Sequence, residues 1–235
     1  MREGWIVVTG ASRGIGAAIA TDLERRGARV AGLSRSGAGG AGRAIACDVS
    51  DEAALTAAFA SLAEEGPIVG LVNNAGQHTA APSALLATAD FEKVMQLNAT
   101  AVFVASRIAH PHLARAGGGM IVNIGSFFDK LGVAENLAYC ASKAAVGAMT
   151  RCLAVEWAKD DIRVLDIAPG YVETDLNRDF LARDKTKAWM ERRIPAKRAA
   201  RADEIARLVG VLFQEDIAYL TGETIYVDGG QGMNH

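Results

Sequence analysis

Two side chains that could move a proton lie close together in the second half of the chain. Tyr139 and Lys143 are four residues apart within 137–160, so on a helix they share one face. An ammonium beside a phenol favours the phenolate, and we therefore expect the Tyr139 pKa to fall from about 10 towards neutrality. Such a phenol can give or take a proton in catalysis. A surface tyrosine beside a solvated lysine is the alternative, and the pair alone does not exclude it.

The stretch that carries this pair is predicted to be one long helix. Its apolar residues recur with the rhythm of a 3.6-residue period; they are Ala141, Ala144, Ala145, Ala148, Met149, Cys152 and Leu153. This stripe lies opposite the face of Tyr139 and Lys143. Packing on a sheet would explain the stripe, but small residues also let two helices approach closely. We predict that this helix, together with a helix over 91–109, pairs with its own copy in a dimer.

The composition narrows the class of protein. The chain has 235 residues, enough for one α/β unit, and 50% of them are hydrophobic. The net charge of −2 argues against a nucleic-acid-binding protein, which usually has a basic face. Since no apolar run reaches the length of a membrane span, we expect no membrane partner.

Cysteine and histidine usage favours a reducing compartment and no metal. The three cysteines have no C-x-x-C spacing, which favours reduced thiols. The first four residues lead directly into a predicted strand, without a signal peptide, so we expect a cytoplasmic protein. The four histidines, His235 among them, form no metal-binding pair with a glutamate, and we expect no metal site.

Short apolar runs alternate with helical patterns along the chain. The predicted strands are 5–9, 29–33, 44–47, 67–72, 120–124, 163–167 and 224–227. The predicted helices are 15–26, 53–64, 91–109 (kinked or ended by Pro111), 137–160, 178–191 and 202–213. Strands that are apolar throughout predict a mostly parallel sheet covered by helices on both faces. We therefore predict an α/β fold, with residues 1–235 forming a single doubly wound, Rossmann-type domain.

The turn after the first strand has the composition of a phosphate-binding loop. Gly10, Gly14 and Gly16 let the backbone approach a pyrophosphate, and the following helix offers its N-terminal N–H groups. A tight turn without a ligand is the alternative. The position of the glycines, after the first strand and before the first helix, favours a dinucleotide site.

The end of the second strand bears on which dinucleotide is bound. An NAD site usually has an acid there, whereas an arginine suits a 2′-phosphate. Here the strand ends in Leu33-Ser34-Arg35-Ser36, and Arg13 lies in the glycine turn. Two guanidiniums and two hydroxyls fit a phosphate, so we favour NADP(H). Ordinary solvated arginines are the alternative.

The ordered set of motifs resembles the short-chain dehydrogenase/reductase family over essentially the whole chain. The residues that carry the resemblance are Thr9, Gly10, Gly14, Ile15, Gly16, Asp48, Val49, Asn73, Asn74, Ala75, Gly76, Asn98, Ser126, Tyr139, Lys143, Pro169 and Gly170. The resemblance implies a doubly wound sheet of about seven strands, a nicotinamide cofactor, and a homodimer or homotetramer.

The resemblance also implies a catalytic role for four residues. Tyr139 would be the general acid/base for a carbonyl/alcohol pair, and Lys143 would lower its pKa and hold the nicotinamide ribose. Ser126 would donate a hydrogen bond to the substrate oxygen where charge develops. Asn98 would hold a water that links Lys143 to solvent. A capping role for Ser126 and a backbone-satisfying role for Asn98 are the alternatives.

The cofactor contacts implied by the resemblance cover the whole dinucleotide. Asp48, with Val49 beside it, would accept a hydrogen bond from the adenine amino group. Residues 74–76 would line the adenosine ribose, and Thr174 would meet the carboxamide. The expected cofactor-binding residues are Gly10, Ser12, Arg13, Gly14, Ile15, Gly16, Ser34, Arg35, Asp48, Val49, Asn74, Ala75, Gly76, Tyr139, Lys143, Pro169, Gly170, Val172 and Thr174.

The substrate is the least specified part of the prediction. Residues 194–198 and 227–233 resemble the 3-oxoacyl-thioester reductases of the family, whereas the loops 77–81 and 127–130 depart from them. The resemblance thus implies NADP(H)-dependent reduction of a 3-oxoacyl thioester, on coenzyme A or acyl carrier protein, or of a similar small ketone. An NAD(H)-linked alcohol or sugar dehydrogenase and a non-catalytic dinucleotide-binding protein are the alternatives.

Residues 175–201 are predicted to form a lid over the substrate. The segment holds nine Lys or Arg against four Asp or Glu, so it could receive the phosphates of coenzyme A or an acidic carrier protein. A solvated helix with excess basic residues is the alternative. Phe127, Phe128, His78 and Trp189 could shape an apolar pocket or simply belong to the core.

Overall fold

The structure, a computed structural model, describes residues 1–39, 41–175 and 177–233, without the side chain of Phe180. Leu176, inside the predicted lid, and His235, one of the four histidines, lie outside the described residues.

Seven parallel strands form the central sheet, in the order β3-β2-β1-β4-β5-β6-β9. Its strands are β1 Trp5–Thr9, β2 Arg29–Ser34, β3 Arg43–Ala46, β4 Ile68–Asn73, β5 Gly119–Ile124, β6 Ile162–Pro169 and β9 Thr224–Val227. A separate pair consists of β7 Val172–Glu173 and β8 Ala200–Arg201. The central strands β1, β4, β5 and β6 are buried at every position, because helices cover both faces. The predicted α/β class and parallel sheet are confirmed.

Helices pack on both faces of this sheet. The helices are α1 Gly14–Arg25, α2 Glu52–Glu65, α3 Thr88–Met95, α4 Ala101–Arg115, α5 Leu137–Trp157, α6 Arg178–Leu181, α7 Asp184–Arg193 and α8 Ala202–Glu215. One hydrophobic core joins the sheet to α2, α4 and α5, and a second joins it to α1 and α8. Among the described residues, no helix is long and apolar enough to cross a membrane.

The helix predicted over 91–109 is longer and less regular than expected. A π-helical segment, Gln96–Thr100, joins α3 to α4, so the helical path runs from Thr88 to Arg115. The prediction that Pro111 ends the helix is wrong, since it lies inside α4. Ala109 and Leu113, on either side of it, are fully buried, and their packing holds the helix together through the lost backbone hydrogen bond.

The prediction of a single helix over 178–191 is also wrong. The segment is divided into α6 and α7, and Leu181 at the end of α6 is buried against Met190 and Ile194. This small cluster also contacts Tyr171 and Trp189 and is separate from the two main cores. Burying these residues requires the chain to turn between the two helices.

A buried chain of hydrogen bonds fixes the ends of β4 and β5. Asn73 Nδ2 donates to Ser106 Oγ on α4 at 3.0 Å and to Asn123 Oδ1 at 2.9 Å. Asn123 Nδ2 in turn donates to Thr150 Oγ1 on α5 at 2.9 Å. Buried amides must satisfy their hydrogen bonds, so this chain sets the register of two strands and two helices together. The residues that follow these strands are thereby held in place.

Candidate active site

A cleft of about 1120 Å³ opens where the parallel strands end, at the point where the strand order reverses between β1 and β4. In open α/β sheets this is the position where ligands bind. The predicted site residues that line it are Gly10, Ser12, Arg13, Gly14, Ile15, Ser34, Arg35, Asp48, Val49, Asn74, Ala75, Gly76, Ser126, Tyr139, Lys143, Pro169, Gly170, Val172 and Thr174. Gly16 and Asn98 are buried and do not line it.

The turn between β1 and α1 brings backbone against backbone. Gly10 and Gly14 have φ values of +67° and +57°, which favour glycine. A Cβ on Gly16 would lie 2.3 Å from the Gly10 carbonyl oxygen and 2.4 Å from Asn74 Nδ2. A Cβ on Gly14 would meet only Thr174, 3.5 Å away. The open side of this turn, with the N-terminus of α1 behind it, suits a phosphate group.

Asn74 and Thr9 tie the ends of β1 and β4 together. Asn74 Nδ2 donates to the carbonyl oxygens of Thr9 and Gly10 at 3.0 and 3.3 Å. Thr9 Oγ1 accepts from the backbone N–H groups of Asn74 and Ala75 at 3.0 and 3.1 Å. These bonds make residues 74–76 a fixed wall of the cleft at the strand switch.

The Tyr139 phenol and the Ser126 hydroxyl come together in the cleft. Ser126 lies just beyond β5, Tyr139 lies in the first turn of α5, and the hydroxyl interacts with the phenol. Ser126 Oγ also accepts from the Phe128 backbone N–H at 3.2 Å, so it caps the short 3-10 turn Phe127–Asp129 as well. Capping and a place in the cleft are therefore both properties of Ser126.

The prediction that Lys143 lowers the Tyr139 pKa is wrong for this protein without a ligand. Burial raises the pKa of Tyr139, and the opposing effect of the Ser126 hydroxyl is smaller. Lys143 Nζ lies 5.7 Å from the centre of the tyrosine ring and donates to the Ile124 carbonyl oxygen at 2.7 Å. The ammonium is directed to the end of β5, and burial lowers its own pKa to about 8.

Asn98 lies in the π-helical segment and is fully buried. Its Nδ2 donates to the Gln77 carbonyl oxygen at 2.8 Å and to Ser142 Oγ at 3.2 Å. Its Oδ1 accepts from the Gln77 backbone N–H at 2.9 Å. These bonds join the loop after β4 to α5, and they use both hydrogens of the side-chain amide. A water beside Lys143 would have to use the second lone pair of Oδ1 or the backbone.

Arg13 and Arg35 line the cleft as exposed side chains. Neither guanidinium makes an ion pair with any residue that the structure describes. The Ser34 hydroxyl hydrogen is already used, because Ser34 Oγ donates to the Ala38 carbonyl oxygen at 2.9 Å. Arg13, in the glycine turn, and Arg35, directly after β2, thus keep their guanidinium donors available to a ligand.

Asp48 and Thr174 line the cleft, and each begins a backbone turn. Asp48 Oδ1 accepts from the Ser50 backbone N–H at 2.9 Å, which leaves its second carboxylate oxygen as an acceptor for a ligand. The Thr174 backbone N–H and hydroxyl both donate to Asn177 Oδ1, at 2.8 and 3.3 Å. Both residues are therefore held in place before a ligand arrives.

Aromatic rings form one wall of the cleft. Ring centres of neighbouring members lie 4.8 to 6.3 Å apart; the members are His78, Phe127, Phe128, Tyr139, Tyr171 and Trp189. Phe127 and Phe128 are only 2% and 8% exposed, so they belong largely to the core. Trp189 packs against Tyr171 and does not itself line the cleft. Of the predicted pocket residues, His78, Phe127 and Phe128 line it.

Sequence reasoning missed Tyr171 and Asp166. Tyr171, directly after Pro169-Gly170, lines the cleft and connects the aromatic wall to α7. Asp166 is fully buried in β6 and acts electrostatically on Lys143. Its signal was present in the sequence, since a carboxylate inside an otherwise apolar strand needs a partner.

Known oxidoreductases are similar to this chain over nearly its whole length. The profile of the family described as enoyl-(acyl carrier protein) reductase matches residues 10–232. The 3-oxoacyl-[acyl-carrier-protein] reductase MabA of Mycobacterium tuberculosis is 38% identical over 232 residues, covering 98% of this chain and 93% of that protein. The D-threitol dehydrogenase of Mycolicibacterium smegmatis is 35% identical over 244 residues, covering 95% and 91%.

A solved structure agrees with the fold. Aldohexose dehydrogenase of Thermoplasma acidophilum, in its ligand-free form, superposes with a TM-score of 0.91 at 28% sequence identity. The similarity covers 100% of this chain and 96% of that one.

We predict that Gly16→Ala disrupts the turn between β1 and α1. The added methyl group would overlap the Gly10 carbonyl oxygen, so we expect a lower midpoint of urea unfolding and weaker binding of NADPH, measured by isothermal titration calorimetry. Gly132→Ala is the matched control, because nothing lies within 4 Å of its added Cβ. Unchanged stability and binding in Gly16→Ala would contradict the described turn.

Proposed function

The chain belongs to the short-chain dehydrogenase/reductase family of nicotinamide-dependent oxidoreductases, and from this we propose that it is an NADP(H)-dependent enzyme that interconverts a ketone and a secondary alcohol. The observation that carries the proposal is that the Ser126 hydroxyl interacts with the Tyr139 phenol in the cleft, with the buried Lys143 Nζ 5.7 Å from the centre of the tyrosine ring. Two neighbouring hydroxyl groups suit a single carbonyl oxygen.

The residues that line the cleft suit a nicotinamide dinucleotide in their chemistry. The glycine turn offers backbone N–H groups for the pyrophosphate, and Asp48 retains an acceptor for the adenine amino group. Thr174, across from Gly14, would meet the carboxamide. When bound, the nicotinamide ring would supply or accept the hydride.

Residues of the chain would transfer the proton and stabilise the charge that develops on the substrate oxygen. Ser126 donates a hydrogen bond to the substrate oxygen, where negative charge develops as hydride arrives. Tyr139 then gives its proton to that oxygen, or takes it back in the oxidation direction. Lys143 would hold the ribose hydroxyls. Its present hydrogen bond to Ile124 would be kept or exchanged as the ribose binds.

NADP(H) is proposed over NAD(H) because of the end of β2. No acid follows Leu33, and the exposed guanidiniums of Arg13 and Arg35 are available to a 2′-phosphate. Arg–phosphate hydrogen bonds can be bidentate, which adds geometric specificity to the charge.

A 3-oxoacyl thioester, on acyl carrier protein or coenzyme A, is the substrate class that we propose. The similarity to a 3-oxoacyl-[acyl-carrier-protein] reductase supports it, as does the basic segment 175–201. Part of that charge is already paired, since Arg178, Arg198 and Arg201 form ion pairs with nearby acids. Lys185, Lys187 and Arg192 remain exposed on α7 and are the better candidates for phosphate contacts.

An NAD(H)-dependent alcohol or sugar dehydrogenase is the second candidate. It is favoured by the similarity to D-threitol dehydrogenase and aldohexose dehydrogenase. Michaelis constants for NADPH and NADH, and for keto sugars against acetoacetyl-CoA, would separate the two candidates.

We further propose that residues 1–235 work as one dinucleotide-binding unit with 175–201 as its lid. The lid joins the rest of the protein through the β7–β8 pair and the small cluster of Leu181, Met190 and Ile194. Its two short helices have few core contacts, which suits a segment that must open for substrate.

A homodimer or homotetramer is proposed from the outer faces of α4 and α5. Ala144, Ala148 and Cys152 of the predicted stripe are exposed, whereas Leu153 is in the core. Val155 is 81% exposed and Phe103, on α4, is 42% exposed. Small side chains flanked by larger apolar ones suit close packing against a second copy.

We predict that Tyr139→Phe lowers kcat by about 10²- to 10⁴-fold, the usual contribution of a general acid/base. The dissociation constant for NADPH should stay nearly unchanged, because the ring is retained. Tyr219→Phe, which removes a hydroxyl from a fully exposed side chain, is the control. Undiminished turnover in Tyr139→Phe would rule out the proposed acid/base. NADPH binding without turnover in the wild type would favour a non-catalytic binding protein.

For the cofactor, we predict that the double variant Arg13→Ala/Arg35→Ala binds NADPH about 10- to 100-fold more weakly, as expected for lost hydrogen bonds to a charged group. Binding of NADH should change little. Arg29→Ala is the matched control, since Arg29 lies at the opposite end of the same strand and stacks on Trp5. Equal losses for NADPH and NADH would contradict the assignment.

For the assembly, we predict that Ala148→Arg converts the protein to a smaller species in sedimentation velocity, because a charged side chain would be buried between two helices. Leu85→Arg is the control: Leu85 is 79% exposed and lies outside these helices, so this variant should sediment like the wild type. A wild-type protein that is monomeric at micromolar concentration would refute the interface.

A further inference from the structure

Asp166 is an acid buried in the middle of a parallel sheet. It lies in β6, is 0% exposed, and is flanked by Leu165 and Ile167, which are also fully buried. Its Oδ2 accepts a hydrogen bond from Thr224 Oγ1 at 3.3 Å. Its Oδ1 is buried without a hydrogen-bond partner among the described residues. A carboxylate in such surroundings is costly unless a positive charge is near.

Lys143 and Asp166 both lie close to the peptide group between Ile124 and Gly125. The Ile124 carbonyl oxygen accepts from Lys143 Nζ at 2.7 Å. At the next residue, a Cβ added to Gly125 would lie only 2.4 Å from Asp166 Oδ1. The ammonium and the carboxylate are therefore both close to the end of β5. Only glycine at position 125 leaves room for this approach.

We propose that Asp166 is the counter-ion of Lys143 and acts as a positioning residue that keeps the buried ammonium charged at the end of β5. The inference rests on the proposed function only in that Lys143 is the residue beside the acid/base Tyr139. Asp166 would touch neither substrate nor cofactor. Its effect would reach the reaction through the charge on Lys143.

The need for a counter-ion follows from the surroundings of Lys143. The lysine is only 6% exposed, and its hydrogen bond within the described part of the chain is to a neutral carbonyl oxygen. Burial lowers the Lys143 pKa to about 8, and Asp166 opposes that decrease. Burial raises the Asp166 pKa to about 6, and Lys143 opposes that increase. Each group therefore stabilises the charged form of the other.

The other titratable groups around the pair act mainly on Asp166. Asp129 raises the Asp166 pKa by like-charge repulsion, and Asp129 Oδ2 accepts from the Tyr226 hydroxyl at 2.8 Å. Lys130 Nζ lies over the Tyr226 ring, and Arg151 acts on the same phenol. On the side of Lys143, Tyr139 is the neighbouring titratable group. Asp166 is the carboxylate that acts on Lys143.

The direction of the expected change follows from the sign of the interaction. The carboxylate of Asp166 favours the ammonium form of Lys143, so its removal makes Lys143 lose its proton at lower pH. In Asp166→Asn, which keeps the size of the side chain, we expect the Lys143 midpoint to fall by about one pH unit. The basic limb of kcat/KM against pH should move down with it, because Lys143 is needed as an ammonium.

The test is a pH titration of the ligand-free protein labelled with 13Cε-lysine and followed by NMR. The Lys143 signal is assigned from its absence in Lys143→Met. In the wild type we expect a main midpoint near 8 and a second inflection near 6, where Asp166 titrates. Asp166→Asn should lose the inflection and lower the midpoint. Asp129→Asn is the matched control, and its Lys143 midpoint should not fall.

The assignment would be overturned if a natively folded Asp166→Asn variant kept both the Lys143 midpoint and the basic limb of kcat/KM against pH unchanged. If that variant does not fold, a wild-type Lys143 signal without an inflection between pH 5 and pH 7 would overturn it equally. Because the NMR titration needs no turnover, coupled midpoints would support the assignment even if no carbonyl compound were reduced. Failure of the proposed function and failure of this inference are thus separate results.

Discussion

The buried ammonium of Lys143 is the constraint on which the site depends. Moving such a charge out of water costs several kcal/mol unless the surrounding groups compensate for it. Compensation comes from the Ile124 carbonyl oxygen, which is free to accept because β5 ends there, and from the carboxylate of Asp166 on β6. Tyr139, one turn earlier on α5, is placed by the same docking of the helix onto the strand ends. The position of the Tyr139 phenol is therefore tied to the position of the buried ammonium.

The groups of the site are held in position by close backbone contacts that leave no room for a Cβ atom at two glycines. Gly125 admits the Asp166 carboxylate, and Gly16 admits the Gly10 carbonyl oxygen. Between them, the amide chain through Asn73 and Asn123 fixes the strand ends relative to α4 and α5. A polar network that is fully satisfied specifies one register, and any slip would leave buried amides without partners. The cleft is thus shaped by the core beneath it.

Much of the fold was predictable because its signals are local. Strands such as Trp5–Thr9 are apolar throughout, and the glycine turn follows directly, so the sheet and the turn after its first strand could be found from the order of residues. Most of the predicted site residues line one cleft because they follow strands whose carboxyl ends the fold brings together. Pro111 was misjudged, since tertiary packing of Ala109 and Leu113 outweighs the local preference of proline.

The pKa shifts of Tyr139 and Lys143 were not predictable from their spacing in the sequence. The four-residue interval between Tyr139 and Lys143 indicated a close pair, but the ammonium is drawn to a carbonyl on a different element. Whether a buried group gains or loses a proton depends on such long-range partners, and on the burial that His78 and Phe128 impose on the phenol. Asp166 is distant from both in sequence, and only the register of β5 with β6 brings it near.

The central claim is that this site reduces a carbonyl group at the expense of NADPH. The most direct measurement is NADPH oxidation by the purified protein with acetoacetyl-CoA, simple ketones, quinones and keto sugars supplied in parallel, with identification of the alcohol formed. Our account predicts oxidation matched one for one by a secondary alcohol, and faster with NADPH than with NADH. Tight NADPH binding with no carbonyl compound reduced would contradict it.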